Sequence, residues 1–273
     1  MTSPPKRDMT PEQEQRVAAI REQFQQRRAI GQRLDRIKHK IGVYSAKGGV
    51  GKTSVAVNLA VLLAQEGARV GIFDVDIDTP NVTRVLRISE PPTKDGEVFI
   101  PSSRFGVKVM SMAFFQKDEE EATIWRGPMI HNAINQFLMM TEWGDLDYLI
   151  VDLPPGTSDS PLTVMQTLNL DGFITVTTPQ ELAKLDAKRS INMIKRLNLQ
   201  VYGVVENMAG EIFGRGAGRE LADEMDLPFL GTLELRADYR DDRKPTVLTS
   251  DTVADEFHAI AESLRAEIAS RAK

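Results

Sequence analysis

Seven consecutive residues, Lys47-Gly48-Gly49-Val50-Gly51-Lys52-Thr53, combine three glycines, two lysines and a hydroxyl. That mixture suits phosphate. Glycines let main-chain N–H groups curl toward phosphate oxygens. A lysine at the end of such a loop reaches β- and γ-phosphates, and the hydroxyl beside it ligates Mg²⁺. The apolar run Ile41–Ala46 before the loop reads as a strand, and Thr53–Gln65 after it reads as a helix. The helix N-terminus adds its own positive partial charge behind the loop. Gly48, Gly49, Val50, Gly51, Lys52, Thr53 and Ser54 are therefore the expected nucleotide-binding residues, with Thr53 as a metal ligand. The ordinary phosphate-loop spacing would have glycine at position 46; here Ala46 is followed by the additional Lys47.

Phosphoryl transfer also needs carboxylates to hold the metal's waters and to orient the attacking one. Asp74, Asp76 and Asp78 follow the apolar run Val70–Phe73. Strand alternation puts Asp74 and Asp76 on one side, whereas Asp78 suits a solvated cap of the next helix. Asp152 closes the apolar run Tyr148–Val151, 100 residues after Lys52, and the stiff turn Pro154-Pro155-Gly156 follows. Asp152 is expected to act on Mg²⁺ through water, and the turn to sense a γ-phosphate. Asn207 ends another apolar run and offers an amide that can donate and accept, which suits adenine. Termination of a strand explains Asn207 almost as well.

These groups need a scaffold that gathers them. Short apolar runs at Val107–Met112, Phe173–Val176, Val201–Val205 and Phe229–Leu233 join those already named. Helical stretches alternate with them at Met129–Met139, Glu181–Leu197, Arg219–Met225 and about 253–272. This predicts an α/β fold: a doubly wound, mostly parallel sheet with helices on both faces and ligands beyond the carboxyl ends of the strands. Residues 41–273 form that domain. Residues 1–40 are expected as a disordered start plus a basic helical arm, with a capping signal at Thr10-Pro11 and cations from Arg27 to Lys40. Such an arm serves nucleic acid or anionic lipid, or docks as a solvated helix; docking is the simpler expectation.

Composition narrows the classes. The chain of 273 residues carries 34 basic against 39 acidic side chains, a net charge of −5. A general nucleic-acid binder would show a basic balance. Zero cysteine excludes disulfides, thiol catalysis and cysteine-ligated metal. With no secretory signal and no run long enough to span a bilayer, the expected setting is cytoplasmic.

The KGGVGKT loop resembles the deviant Walker A loop of the MinD/ParA/nitrogenase-iron-protein superfamily of dimeric P-loop ATPases. Segments WRGPM at 125–129, DYLIVDLPPGTSD at 147–159, TTPQELAKLDAKR at 177–189, VVENM at 204–208, and IFGRGAG with LPFLG at 212–231 look like one branch of it, the Mrp/ApbC-type iron–sulfur cluster carriers. The resemblance implies a Mg²⁺-dependent ATPase that works as a homodimer with ATP at the interface. It implies Lys47 reaching the phosphates of the facing subunit as a catalytic group beside Lys52. By the same resemblance Asp74 holds a metal-bound water, Asp76 orients the nucleophilic water, Asp152 serves the metal, and Asn207 meets adenine. Iron–sulfur assembly or target proteins are the implied partners.

One departure matters. Carriers of that branch place a CxxC pair after the ENM passage, and two subunits share a bridging cluster. Here Asn207-Met208-Ala209-Gly210-Glu211 runs directly into Ile212-Phe213-Gly214. No cluster is expected on this chain alone, since clusters need Cys thiolates, occasionally helped by His. His39, His131 and His258 are scattered and read as structural. The alternative function is a ParA/MinD-like spatial organiser on DNA or membrane, for which residues 27–40 are the candidate surface; neither partner is expected from the acidic balance. A small-molecule kinase on the same scaffold would need an acceptor pocket and has no use for Lys47 in trans.

Overall fold

Each apolar run is short and rich in Val and Ile, so it is extended, and it must be covered on both faces to leave water. The computed structural model describes residues 16–18, 20, 34–96, 98–115, 127–157 and 159–271. The chain runs β1 (Ile37–Tyr44), α1 (Lys52–Gln65), β2 (Val70–Asp74) and the four-residue α2 (Val82–Val85). Short strands β3 (Thr93–Asp95), β4 (Val98–Ile100) and β5 (Ser102–Arg104) precede β6 (Val107–Ser111) and α3 (Gly127–Met140). Then come β7 (Leu146–Asp152), α4 (Asp159–Thr167), β8 (Gly172–Thr177) and α5 (Glu181–Arg196). The rest is β9 (Val201–Ala209), α6 (Ala217–Met225), β10 (Phe229–Glu234) and α7 (Asp251–Arg271).

Eight strands form one sheet in the order β10-β9-β8-β1-β7-β2-β6-β5. All neighbours are parallel except the edge strand β5, which turns back antiparallel on β6. The doubly wound α/β expectation therefore holds. One face packs Tyr44, Phe73, Val151, Phe173 and Val204 against Phe137, Leu138, Val164, Ile191 and Leu221 of α3 to α6. On the other face Ile41, Val43, Ile72, Ile150 and Val205 meet Val55, Leu59 and Leu63 of α1 and Phe257, Ile260 and Leu264 of α7. Each such fully buried side chain contributes roughly 1.5–3 kcal/mol. The long α1 is almost enclosed, which explains its near-continuous apolar sequence from Val55 to Leu63.

Two local readings change. The first strand begins at Ile37, before the expected Ile41, with Ile37 in register with Leu146. Lys38 and Lys40 disguised it as part of a basic arm, but they pair with Asp147 at 2.8 Å and Asp171 at 3.3 Å at the foot of the sheet. Arg36 likewise faces Glu142 and Asp145. The basic face expected over 27–40 thus loses three cations to ion pairs; most of the arm lies outside the described residues. The second change is α4, which follows the Pro154–Gly156 turn and matches none of the helical stretches expected from the sequence. Among the described residues no helix is long and apolar enough to cross a membrane.

Candidate functional site

The carboxyl ends of β1, β2, β7 and β9 bring the chemistry together. After Tyr44 the loop turns through Gly49 and Gly51, with φ of 82° and 80°, into α1. Such left-handed geometry is inexpensive only for glycine. Val55 N–H donates to the Gly51 carbonyl at 3.0 Å, closing the first helical turn. The Ser45 hydroxyl donates to the Lys47 carbonyl at 2.9 Å, and Gly156 N–H donates to the Ser45 carbonyl at 3.2 Å. The Tyr44 hydroxyl also donates to the Gly156 carbonyl, so the Pro154–Gly156 turn is tied to the foot of the loop.

Lys52 and Asp152 form a buried pair, 7% and 0% exposed, with Nζ 2.6 Å from Oδ1. The Thr53 hydroxyl donates to the other Asp152 oxygen at 2.6 Å. Asp74 is fully buried and accepts from Asp76 N–H at 3.2 Å, Val82 N–H at 3.1 Å and the Ser111 hydroxyl at 3.0 Å. Asp76 accepts from Thr79, from N–H at 3.0 Å and from the hydroxyl at 3.3 Å. The turn-holding role that seemed to suit Asp78 is therefore performed by Asp74 and Asp76, while Asp78 is exposed. Asn207 donates from Nδ2 to the Val50 carbonyl at 2.8 Å.

A cleft of about 220 Å³ opens above these groups, lined by Lys47–Gly49, Gly51–Ser54, Asp76, Thr79, Asn81 and Pro155. Added Cβ atoms at Gly48 and Gly49 would project into open space there. A larger cleft of about 580 Å³ lies on the outer side of α1 toward Tyr239; it shares only Ser54 with the first. It contains none of the glycines or buried carboxylates, so the smaller cleft is the candidate site. Lys47 is exposed at its rim and makes no ion pair among the described residues.

Sequence reasoning missed Ser111, Thr79 and Tyr44. Ser111 reaches Asp74 only because β6 lies beside β2, a neighbour relation with no local signal. His131 bonds Thr167 and Asn135, and His258 faces Glu66, consistent with structural roles. Trp125 and Arg126 of the WRGPM segment lie outside the described residues.

Burial, then the neighbouring Asp152 charge, pushes the Asp74 carboxyl up to about 8, against the pull of Val82 N–H, Lys52 and Ser111. Burial also raises Asp152, and Lys52 opposes that shift. Because the folded value of Asp74 lies above the 3.8 of an ordinary aspartate, the folded protein holds this proton more tightly than the unfolded chain. That contribution is complete below the unfolded value and is lost as pH rises through about 8. The expected result, without metal or nucleotide, is a thermal midpoint that falls from about pH 4 to about pH 8, more steeply than in Asp74→Asn, and then levels. Equal slopes in the two proteins would count against a protonated Asp74.

Gly51 makes a second prediction. A Cβ there would stand 2.2 Å from Asn207 Nδ2, at a φ of 80°. Gly51→Ala should destabilise the protein by about 1–3 kcal/mol and weaken nucleotide binding at least ~10-fold. Denaturant unfolding and calorimetric titration measure the two effects separately.

A parallel sheet carrying a glycine loop into a helix, with its lysine and threonine on an aspartate from the adjacent strand, defines a P-loop NTPase. The chain matches the ParA family model described as NUBPL iron-transfer P-loop NTPase over residues 36–265 and belongs to that family. An iron–sulfur cluster carrier protein of Methanocaldococcus jannaschii is 41% identical over 256 residues, covering 88% of this chain and 88% of that one. One of Pseudomonas fragi is 44% identical over 231 residues, covering 79% and 80%. Among solved structures, a nucleotide-binding protein of Archaeoglobus fulgidus in complex with ADP has a TM-score of 0.69. It is 36% identical, over 79% of this chain and 89% of that chain. The cell division ATPase MinD of Pyrococcus furiosus shares the fold, with a TM-score of 0.67 at 21% identity over 84% of this chain and 98% of that one. The resemblance read from the motifs is thus borne out.

Proposed function

We propose that this protein is a Mg²⁺-dependent, ATP-hydrolysing switch that closes as a homodimer around two nucleotides and serves iron–sulfur cluster partners without holding a cluster on its own thiolates. The observation that carries the reading is the Lys52–Asp152–Thr53 arrangement beneath an open glycine cradle. The donors suit the metal: Thr53, Asp74 and Asp152 offer hard oxygens, the chemistry Mg²⁺ prefers alongside phosphate and water. When bound, Mg²⁺ supplies charge neutralisation at the β- and γ-phosphates.

The protein's own groups do the rest. Phosphate draws the Lys52 ammonium from Asp152, exchanging one anionic partner for another. Loop N–H groups from Gly48 to Thr53 cradle the β-phosphate. Asp76 accepts a hydrogen bond from the attacking water and orients it, and ADP leaves as the γ-phosphoryl group passes to that water. Lys47, supplied by the facing subunit, neutralises charge gathering on the transferred group.

One feature supports a dimer closing at the carboxyl ends of the strands. Leu182, Leu185, Ile212, Phe213 and Leu235 are exposed apolar side chains that follow β8, β9 and β10 at the carboxyl ends of the strands, the end of the sheet from which the Lys47 loop leaves β1. Large apolar groups left exposed at one end of a sheet are available to an interaction surface. The absence of cysteine from all 273 residues argues that any cluster handled here is held by a partner.

The test is light scattering with a non-hydrolysable ATP analogue and with ADP, beside anaerobic reconstitution with iron and sulfide. The expected result is a doubled mass with the ATP analogue alone and no stoichiometric cluster absorbance. A monomer in both nucleotide states would overturn the switch; a stable stoichiometric cluster would overturn the thiolate argument.

A further inference from the structure

Glu206 precedes Asn207 on β9 and is 1% exposed. It stands in register with Thr177 of β8 on one side and Thr232 of β10 on the other. Among the described residues no lysine, arginine or histidine forms an ion pair with this carboxylate. Its compensation comes from the main chain. Gly216 N–H lies 3.1 and 3.0 Å from its two oxygens, and Gly218 N–H donates to Oε1 at 2.8 Å. Gly216 is the N-cap of α6 and has no side chain to offer. Glu206 therefore caps α6 from a neighbouring element, and the positive end of the helix offsets the buried charge. Position 218 has no room for more than glycine, since a Cβ there would lie 2.7 Å from that of Glu206.

The consequence falls on Asn207. The strand pairing of β9 with β8 ends at Glu206, and beyond it, among the described residues, β9 pairs as a strand with β10 alone. Met208 follows with φ of 59°, a left-handed conformation that a non-glycine residue keeps only when its surroundings enforce it. Gly210 and Gly214 then exchange hydrogen bonds of 2.9 and 2.8 Å, and the chain returns to Gly216, back in the grip of Glu206. The carboxylate thus closes both ends of segment 207–216. Inside that clamp the Asn207 amide has one orientation: Nδ2 must donate to the Val50 carbonyl, because Oδ1 in its place would set two acceptors face to face. Oδ1 is left as an acceptor.

We propose that Glu206 is a positioning residue for base selection: it locks segment 207–216 so that Asn207 Oδ1 accepts from the 6-amino group of a purine and disfavours a 6-oxo purine. The proposal rests on the phosphate-loop nucleotide reading above.

The experiment compares affinities for ATP, GTP and inorganic tripolyphosphate in the wild type, Glu206→Gln, Asn207→Ala and the double variant. Glutamine keeps the size of the side chain but replaces the second oxygen with an NH₂ group that faces Gly216 N–H, donor against donor, and removes the charge that the helix end offsets. The expected result is an ATP-over-GTP preference reduced by ~5–10-fold in Glu206→Gln, with tripolyphosphate affinity unchanged. The double variant should lose no more preference than Asn207→Ala alone, since the two residues act through one contact. Glu206→Asp, which keeps the charge but withdraws it by one methylene, is measured alongside. It should reduce the preference by ~3-fold and keeps the test open if the glutamine variant does not fold. An unchanged preference in a folded Glu206 variant, or losses that add to those of Asn207→Ala, overturns the positioning role. A wild-type protein that binds neither ATP nor tripolyphosphate overturns the nucleotide reading itself.

Discussion

Lys52→Ala is expected to abolish nucleotide binding, raising Kd at least ~100-fold, which is about 2.7 kcal/mol. Two effects combine. The phosphates lose a charge-assisted donor, the stronger kind of hydrogen bond. Asp152, fully buried, loses the ammonium 2.6 Å from its oxygen. Breaking a buried pair by removing one partner costs about 3–5 kcal/mol when the remaining charge has no relief. Here relief exists, because burial already raises Asp152, so it takes up a proton and the stability loss falls toward the lower end of that range. Calorimetric titration with ATP and with ADP, beside denaturant unfolding, separates the two effects. Retained affinity in a folded variant would remove the lysine from the phosphate site.

Lys47→Ala should leave ADP affinity within about twofold and slow hydrolysis by ~10³-fold or more, the scale of a cation supplied in trans. The contrast with Lys52 follows from position. Lys47 is exposed at the cleft rim and makes no ion pair among the described residues, so its removal leaves no buried charge stranded. The trans assignment has its own readout. Mixing Lys47→Ala with Asp76→Asn, each inactive alone, should restore turnover, because a mixed dimer contains one complete site. Single-turnover kinetics on the mixture measure it. Restored turnover supports reach across the interface; none, with mixed dimers formed, confines Lys47 to its own subunit.

The two lysines also show which parts of the site were legible early. Lys52, Thr53 and Asp152 were recognisable because each ends or opens an element whose apolar pattern is local. Asp74 and Asp76 were located, but their partners were not. Asp74 depends on Ser111 at the end of β6 and on Val82 at the start of α2, and Asp76 depends on Thr79. Asp78 seemed the better cap because it is nearest the next helix in sequence; the turn instead wraps around Asp74 and Asp76. Lys38 and Lys40 misled for the opposite reason. Their charge masked strand residues whose ion-pair partners come from the start of β7 and the turn before β8.

The sequence by itself determined the alternation of strands and helices, the parallel sheet it implies, the glycine loop, and the missing cysteines. These rest on properties that residues carry within a few positions of themselves: backbone freedom, period of apolarity, and chemistry of the side chain. Only the tertiary structure decided that β5 reverses at the edge, that Tyr44 ties the Pro154–Gly156 turn to the loop, and that Asn207 settles on Val50. It alone brought Gly216 and Gly218 onto Glu206. Such contacts depend on which strands become neighbours, and that choice belongs to the burial of the whole sheet between its two helical layers.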